Sequence, residues 1–430
     1  MAGRRRARGA RGRVSVRLGA RVAAGPLAWA SCAALTPDAI SRFALLGPFA
    51  PYRGGIAHFH DALADGLEAR GHDLLRLSFH RQYPGVLFPG TSQLEPGKGK
   101  GGRGKGASGE ALSGARDPDA DPPRVLDTLN PLAWRRAARN VRQWNADAMV
   151  FPYWMSFFAP MWGGIVRALD APSVGLVHNA LPHERRPGDR KLARYALGRC
   201  GGLVALSDRV RQDVEALGLA DLPMRQVKHP AYGQFGDGIP RDEAREALGL
   251  PRDAPILLFF GFIRAYKGLA VLLDAMPAIR QSLPEARLIV AGEFYDDEAP
   301  YREQIARLGI EDAVTVESGY APAERVALLF SAADLVVQPY VSATQSGVAQ
   351  VAFGLGRPVL TTDVGGLAEA VGEGGLIVPP ADADALAREA VRFFRQPGLA
   401  ERLTGGARQR GEAGDWTPVV DAVEALASGG

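Results

Sequence analysis

Two cations, Arg264 and Lys267, lie in a turn whose setting is typical of anion binding. Their segment, Pro255–Gly268, begins with the apolar run Ile256–Phe260, which has the length of a buried strand. The chain turns at Gly261 and continues with apolar residues at helical spacing. A strand-to-helix turn directs free N–H groups and a positive helix end outward, and two cations there suit a doubly charged anion better than a carboxylate. A solvated loop with ordinary surface charges is the alternative interpretation.

A second helix start of the same kind follows a strand that ends at Gln338. The helix is predicted to begin near Ser346 and Gly347, with Thr344 or Gln345 as the residue that caps it. Its first N–H groups would face the ligand cleft, which makes this start a second place that favours an anion.

A carboxylate, Glu369, follows Gly365 and Gly366 at the start of a further helix. An acid in a first helical turn stabilises the helix through its dipole, and this structural interpretation is the simpler one. Glu369 is nevertheless retained among the candidate binding residues.

His178 is the candidate for imidazole chemistry. All seven histidines precede residue 230, so such a group must come from the first half of the chain. His178 follows the apolar strand SVGLV, at the edge where parallel sheets bind ligands, whereas His58, His60, His183 and His229 are expected to be structural. The sequence has no HExxH, CxxC, GxSxG or Walker motif, so we expect no metal site.

The charge of the chain is uneven. Of 430 residues, 51 are basic and 47 acidic, but residues 1–37 hold eight arginines and no acid. The remainder is slightly acidic, so no nucleic-acid partner is expected. Two cysteines, Cys32 and Cys200, and the lack of a long apolar run predict a cytoplasmic protein with a disordered basic extension at 1–40. An export signal in that extension is the alternative.

Strands alternate with helices along the rest of the chain, which predicts an α/β fold with two Rossmann-like, doubly wound domains facing across a cleft. The first domain opens with a β-turn-α-β pattern in which Gly54 and Gly55 form the turn, a pair that tight packing explains nearly as well as ligand approach. The predicted segments are a first domain at 41–232 with a flexible Gly-rich insertion at 97–120, a second domain at 240–412 and a terminal helix within 413–430.

These segments together resemble the GT-B glycosyltransferases, and among them the retaining family 4, or group 1. The matching stretches, in family order, are PYRGGIAHFHDALADGLEARGH, VGLVHN, VALSDRVRQ, FGFIRAYKGLAVLLDAM, RLIVAGE, SAADLVVQPY and GLGRPVLTTDVGGLAEAV. The resemblance implies two Rossmann-like domains, with the last helix crossing back onto the first. It also implies sugar transfer from a nucleoside-diphosphate donor to an acceptor with anomeric retention, in glycan or glycolipid biosynthesis.

The resemblance further implies roles for single residues. His178 would touch the transferring sugar, and Lys267 would neutralise the donor diphosphate. The expected donor-binding residues are Gly54, Gly55, Arg264, Lys267, Gln345, Ser346, Gly347 and Glu369. Fixed cations would stabilise the departing diphosphate, so neither a metal nor another cofactor is expected.

Two features depart from the family pattern. Phe262 stands where family members often have an arginine. The pair of glutamates eight residues apart that the family usually carries is replaced by Ala343 and Val351. Neighbouring polar groups could replace hydrogen bonds to sugar or ribose but not the charge: Gln345, Ser346 and Gln350.

The acceptor is not readable from the sequence beyond a glycan or a lipid-linked group. The basic extension and residues 97–116 could bring the protein to an anionic inner membrane surface. Two other functions stay open at this point. One is a catalytically silent GT-B module that binds a nucleotide or glycan; the other is a nicotinamide-dependent oxidoreductase, although the GxGxxG motif of that class is missing.

Overall fold

The computed structural model describes residues 41–84, 92–94, 122–182, 186–232, 238–343, 346–412 and 416–429. The predicted extension at 1–40, the predicted insertion at 97–120 and the candidate residue Gln345 lie outside these ranges.

The first domain is built on a parallel sheet of seven strands in the order β3-β2-β1-β4-β5-β6-β7. β1 pairs with both β2 and β4, so β2 and β3 lie on one side of β1 and the later strands lie on the other. The central strands β1, β4, β5 and β6 are almost wholly buried beneath helices on both faces, whereas the edge strand β7 is largely exposed. Their bounds are β1 Arg42–Leu46, β2 Asp73–Arg81, β3 Arg124–Asp127, β4 Ala148–Tyr153, β5 Ser173–Val177, β6 Gly202–Ala205 and β7 Met224–Gln226.

Side chains that cap helix starts help to position the helices of this domain. Asn130 accepts a hydrogen bond from the backbone N–H of Leu132 at 3.0 Å, with Pro131 at the first helical position. Ser207 accepts one from the N–H of Val210 at 3.3 Å. The helices are α1 Gly55–Ala69, α2 Pro131–Gln143, α3 Ala159–Arg167, α4 Asp189–Leu197 and α5 Asp208–Ala216.

The second domain has a parallel sheet of six strands in the order β10-β9-β8-β11-β12-β13. The strands are β8 Ile256–Phe260, β9 Arg287–Gly292, β10 Val314–Ser318, β11 Leu335–Gln338, β12 Val359–Thr362 and β13 Gly375–Val378. The helices are α6 Arg241–Ala247, α7 Leu269–Ser282, α8 Ala299–Leu308, α9 Ala323–Ala332, α10 Gly347–Gly354, α11 Leu367–Val371, α12 Ala383–Arg395 and α13 Leu399–Glu412. The predicted architecture of two doubly wound α/β domains is confirmed.

The helix α13 was absent from the sequence-based prediction. Its sequence, LAERLTGGARQRGE, contains glycines that weaken a helix in water. Tertiary packing explains two of them: a Cβ on Gly406 would lie 2.5 Å from the carbonyl oxygen of Glu373, and one on Gly411 would lie 2.2 Å from that of Phe353. Glycine at these positions lets α13 approach the neighbouring backbone, including that of α10.

The last helix, α14 (Thr417–Ala427), packs on the first domain rather than on the second. It packs so closely on β6 that a Cβ added to Gly202 would lie 2.6 Å from the Leu426 side chain. Glu424 accepts a hydrogen bond from Arg70 at 2.7 Å and lies 2.7 Å from the His72 ring, just beyond α1. The C-terminal helix therefore ties the end of the second domain to the first domain. No helix in the described part of the chain is both long and apolar enough to span a bilayer.

Arg245 of α6 generates a prediction about stability. Its side chain is completely buried, donates to the carbonyl oxygens of Ala332 and Ala254 at 2.9 Å each, and forms a 2.7 Å ion pair with Asp334. Arg245→Ala leaves Asp334 with Arg241 as its remaining cation, and it leaves the two carbonyl oxygens without this donor, so we expect a loss of about 2–4 kcal/mol in the free energy of unfolding.

Urea denaturation followed by circular dichroism measures this loss. Arg252→Ala is the matched control, because the Arg252 side chain is two-thirds exposed and its acidic partner, Glu246, is as far as 4.0 Å away. An unfolding midpoint for Arg245→Ala equal to that of this control would contradict the prediction.

Candidate active site

The turn that carries both candidate cations is held in shape by glycine. After β8, Gly261 adopts φ 108°, and a single 3-10 turn, Ala265–Lys267, leads to Gly268 with φ 69°. A Cβ on Gly268 would lie 1.9 Å from the carbonyl oxygen of Pro339, so no other residue fits there. The close approach brings the turn against the loop that follows β11.

Lys267 is buried in this turn, with 8% of its surface exposed. Its ammonium lies 5.1 Å from the ring centroid of Tyr340. Burial acts to lower the pKa of Lys267, but Tyr340 and Tyr266 more than offset this effect, so the pKa lies above its ordinary value. No carboxylate in the described ranges forms a salt bridge with it. A charged, buried lysine of this kind is suited to an anionic ligand.

Arg264 takes a different position in the same turn. Its guanidinium lies 5.1 Å from the ring centroid of Tyr295, whose ring also packs against Phe262 with centroids 4.6 Å apart. Burial raises the pKa of Tyr83 in the first domain to about 12, and Arg264 is among the groups that oppose this rise. The arginine therefore lies near the first domain, across the cleft, and is only partly buried.

The start of α10 forms a small polar network beside Lys267. The hydroxyl of Ser346 accepts hydrogen bonds from the Val348 backbone N–H at 3.3 Å and from the side-chain amide of Gln338 at 2.8 Å. The hydroxyl of Tyr340 lies 3.2 Å from the same oxygen. Ser346 is thus the cap of α10 in the structure. The carbonyl oxygen of the Gln338 side chain is buried without a partner in the structure described.

His178 lies directly after β5, as its position in the sequence predicts. Its backbone N–H donates to the Tyr153 carbonyl at 2.8 Å, and its ring packs edge-on against Phe59 at 4.8 Å. Burial, followed by the neighbouring His229 and His60, holds the pKa of His178 well below its usual range, so the ring is neutral. Its Nε2 atom is buried and has no hydrogen-bond partner among the described residues.

Tyr232, in the interdomain linker, brings the two domains together at this site. Its hydroxyl donates to the Gly55 carbonyl at 2.8 Å, and its backbone N–H donates to the Gln350 carbonyl at 3.3 Å. Its ring lies 5.4 Å from that of His229, and a Cβ on Gly347 would lie 3.5 Å from it. The linker therefore contacts the glycine turn of the first domain and the first turns of α10 simultaneously.

These contacts place Lys267 and His178 around the same helix start. A Cβ on Gly261 would lie 3.1 Å from the Lys267 ammonium and 3.4 Å from Val348 of α10. On the other side, His178 lies 6.3 Å from His229, ring to ring. The chain of contacts from the lysine through α10 and the linker to the histidines defines the candidate active site.

The glycine turn of the first domain faces open space. Gly54 has φ 108°, a conformation that favours glycine, and a Cβ there would meet no atom within 4 Å. Its carbonyl accepts from the N–H groups of Ala57 and His58 at the start of α1. Gly55 is restricted instead by the Tyr232 hydroxyl, 3.2 Å from the position of its Cβ.

Glu369 lies in an interdomain crevice. One wall comes from the first domain and contains Ser207, Lys228 and His229, and the other contains Ser346 and Gln350. Glu369 is in the first turn of α11, in agreement with the structural interpretation of its carboxylate.

A cross-domain ion pair was missed by the sequence-based reasoning. Arg53 lies 2.7 Å from Glu293, which follows β9, and the side chains are only 4% and 9% exposed. The Arg53 guanidinium also lies 4.0 Å above the ring of Tyr320. In the sequence, Arg53 stands beside the glycine pair and Glu293 follows a strand, and both positions favour a site. No sequence pattern, however, pairs residues that are 240 positions apart.

The positions of the missing glutamates are filled by buried apolar residues. Ala343 is 8% exposed and packs with Tyr340 and Leu367, and Val351 is 7% exposed in the apolar core. Phe262, in place of the family's arginine, is 36% exposed. In the described ranges, no group of three His, Cys, Asp or Glu side chains has the geometry to hold a metal.

Comparison with known proteins identifies both halves of the chain. Residues 54–228 match the family described as glycosyl transferase 4-like domain, and residues 254–396 match glycosyl transferases group 1. Alpha-D-kanosaminyltransferase of Streptomyces kanamyceticus is 27% identical over 61% of this chain and 69% of that protein. D-inositol 3-phosphate glycosyltransferase of Streptomyces griseus is 35% identical, but the match spans only 42% of this chain and 40% of that protein.

Two solved structures have the same fold. HepE of Anabaena in complex with UDP and glucose superposes with a TM-score of 0.68 at 16% identity, over 89% of this chain and 98% of that one. Sucrose-phosphate synthase from Thermosynechococcus elongatus superposes with a TM-score of 0.67 at 20% identity, over 89% and 97%.

The buried histidines predict a pH-dependent stability. Burial lowers the pKa of His60 from 6.5 to about 3, and neither ring nitrogen has a hydrogen-bond partner in the described structure. As the pH falls from about 6.5 to about 5.5, His60 takes up a proton in the unfolded state only, so folding loses about 1 kcal/mol from this residue. His60→Leu should abolish that part of the loss.

Urea midpoints at the two pH values measure the effect. The exposed His80→Leu is the control and should retain the full pH dependence. Parallel stability curves for wild type and His60→Leu would show that His60 does not remain neutral in the folded state.

Proposed function

We propose that this chain, which belongs to the group 1 glycosyltransferases of the GT-B fold, transfers a sugar from a nucleoside-diphosphate donor to an acceptor hydroxyl with anomeric retention. The observation that carries the proposal is the buried Lys267 ammonium, which lies beside the start of α10 without a carboxylate partner among the described residues. A diphosphate is the ligand whose charge such a site would balance.

The leaving diphosphate sets the main chemical requirement of this reaction. Negative charge builds on the phosphate oxygens as the bond between the diphosphate and the sugar breaks, and a fixed cation in a dry site stabilises it. Lys267 is positioned for this role, and Arg264 at the mouth of the cleft adds a second positive charge. With two cations supplied by the chain, the proposed reaction requires no metal ion.

The sugar would be bound on the side of His178. The neutral imidazole has an unused Nε2 atom, which can hydrogen-bond to a sugar hydroxyl without adding charge. Ala343 and Val351 leave no carboxylate where the resemblance places two, so no covalent nucleophile is assigned. Ser346 and Gln350, near the same helix start, supply polar contacts in their place.

The donor and acceptor are proposed by class. HepE was solved with UDP and glucose, and the E. coli neighbour described as trehalose-6-phosphate was solved with UDP-2-fluoro glucose, which supports a nucleotide sugar as donor. The proposed acceptor is a glycan or a lipid-linked group, at the cytoplasmic side of the membrane. The open Gly54 turn in the first domain provides space at the start of α1, the helix whose Phe59 packs on His178.

A silent GT-B module is the second candidate function. It is favoured by one observation, the apolar side chains at Ala343 and Val351. A silent module would bind a nucleotide sugar, and so be stabilised against heat, without consuming it. Thermal shift and turnover measured on the same panel of nucleotide sugars therefore separate the two functions.

Lys267→Met should decrease turnover about 100- to 1000-fold, since it removes the charge that stabilises the departing diphosphate. Release of nucleoside diphosphate from the donor identified in the panel measures this rate. The exposed Arg307→Met, in α8, is the control for the loss of one positive charge and should turn over like wild type. A Lys267→Met enzyme with wild-type turnover would refute the assigned role.

The stereochemical outcome is a separate prediction. With a donor that carries its sugar in the α configuration, proton NMR of the product should show a small anomeric coupling constant, typical of an α linkage in gluco-configured sugars. The spectrum must be recorded on initial product, before any mutarotation of by-products. A β-linked product would exclude retention while leaving sugar transfer itself intact.

A further inference from the structure

The first domain has one strongly basic side, formed by α2 and α4 with α3 between them. On α2, Leu132 and four arginines recur at helical spacing on the side opposite the buried Ala137 and Val141. The four are Arg135, Arg136, Arg139 and Arg142, and the helix contains no acid. We refer to the exposed side chains of α2 and α4 as the basic face.

The part of the basic face on α4 has the same character. Arg190, Lys191 and Arg194 are exposed, and the one acid of the helix, Asp189, is buried. Asp189 accepts hydrogen bonds from the Ser156 hydroxyl at 2.5 Å and from the Arg186 backbone N–H at 2.6 Å. Its charge is therefore turned into the domain and does not screen the neighbouring cations.

The described contacts of these cations are with neutral groups. Arg142 donates to the Ala168 carbonyl at 2.8 Å, and Arg190 donates to the Ala216 carbonyl, both of which are neutral partners. None of the salt bridges in the described part of the chain involves a cation of α2 or α4. Among the described residues, the positive charge of this face is therefore not balanced by paired acids.

Exposed apolar side chains are interspersed with these cations. Leu132 is 70% exposed, Leu129 just before α2 is 50% exposed, and Leu192 and Tyr195 of α4 are 36% and 40% exposed. These four make up half of the eight large apolar side chains exposed in the described residues. Their concentration on one basic side is what marks it as an interaction surface.

We propose that the basic face docks on an anionic phospholipid bilayer. Arginines would contact lipid phosphates while the leucines enter the boundary between headgroups and acyl chains, as on amphipathic helices that lie in a membrane interface. A nucleic acid would match the charge but would leave the leucines in water, because nucleic acids are bound through stacking on aromatic rings and polar contacts.

The position of the face adds a functional consequence. α2 and α4 begin after β3 and β5, at the carboxyl edge of the sheet, which is also where His178 and the cleft lie. Docking would therefore hold the cleft close to the membrane surface, within reach of a lipid-linked acceptor. The proposed lipid contact does not depend on the proposed sugar transfer, whereas the inference of a lipid-linked acceptor rests on that function.

Cosedimentation of the full chain with vesicles tests the docking. The chain should bind vesicles of phosphatidylglycerol and phosphatidylcholine and not those of phosphatidylcholine alone, and salt should weaken the binding. Arg135→Gln/Arg136→Gln/Arg139→Gln should weaken the binding about 100-fold, because each arginine contributes a factor of roughly five to the affinity. Leu132→Ser should weaken it about tenfold, because an inserted side chain is lost.

Charge-matched variants in the second domain give the control. Arg307→Gln/Arg388→Gln/Arg402→Gln removes three exposed arginines from α8, α12 and α13 and should bind vesicles like wild type. Equal weakening by the two triple variants, or binding that neither reduces, would overturn the proposal by assigning the contact to net charge or to another segment. Binding of duplex DNA in the same buffer without binding to anionic vesicles would overturn it in favour of a nucleic-acid surface. Turnover with a soluble acceptor, unchanged in the basic-face variant, distinguishes lost docking from lost catalysis.

Discussion

The structure of the candidate site depends on a positive charge that is kept inside the second domain. Burying an ammonium is costly unless something compensates it, and Lys267 has only tyrosine rings and hydroxyls for this in the described structure. Its position requires Gly268, whose missing side chain lets the turn approach the Pro339 carbonyl. The charge is thus fixed in place before any ligand arrives. Preorganisation of this kind is what makes a cation effective toward charge that develops during a reaction.

The first domain contributes a neutral, aromatic wall to the same site. His178 and His229 are buried beside Phe59, and burial lowers the pKa of His229 to about 4, so both rings are uncharged at neutral pH. If these two rings were charged, they would compete with Lys267 for its anionic ligand. The division between a cationic wall and a neutral wall suits a donor with a charged diphosphate at one end and an uncharged sugar at the other.

Three contacts decide how the two walls face each other. Tyr232 bridges the Gly55 turn and α10, the Arg53–Glu293 ion pair joins the two domains, and α14 returns to pack on the first sheet. The ion pair is almost fully buried, so breaking it would leave a charge in a poorly solvated place. The basic face lies outside this arrangement, on helices that need no contact with the second domain.

The amino-acid order alone determined every strand except β3, their parallel arrangement and the glycine-bounded turns, since hydrophobic period and turn chemistry are local properties. It also placed Lys267 and His178 after strands β8 and β5, where the ends of parallel strands line a cleft. Only the tertiary structure revealed the short elements β3 and α6 and the cap role of Ser346. It also revealed α13, whose glycines weaken the helix until neighbouring backbone packs on them. Arg53 and Glu293, and the approach of Tyr232 to both domains, were likewise decided by the fold, because contacts between residues far apart in the chain leave no periodic trace in the sequence.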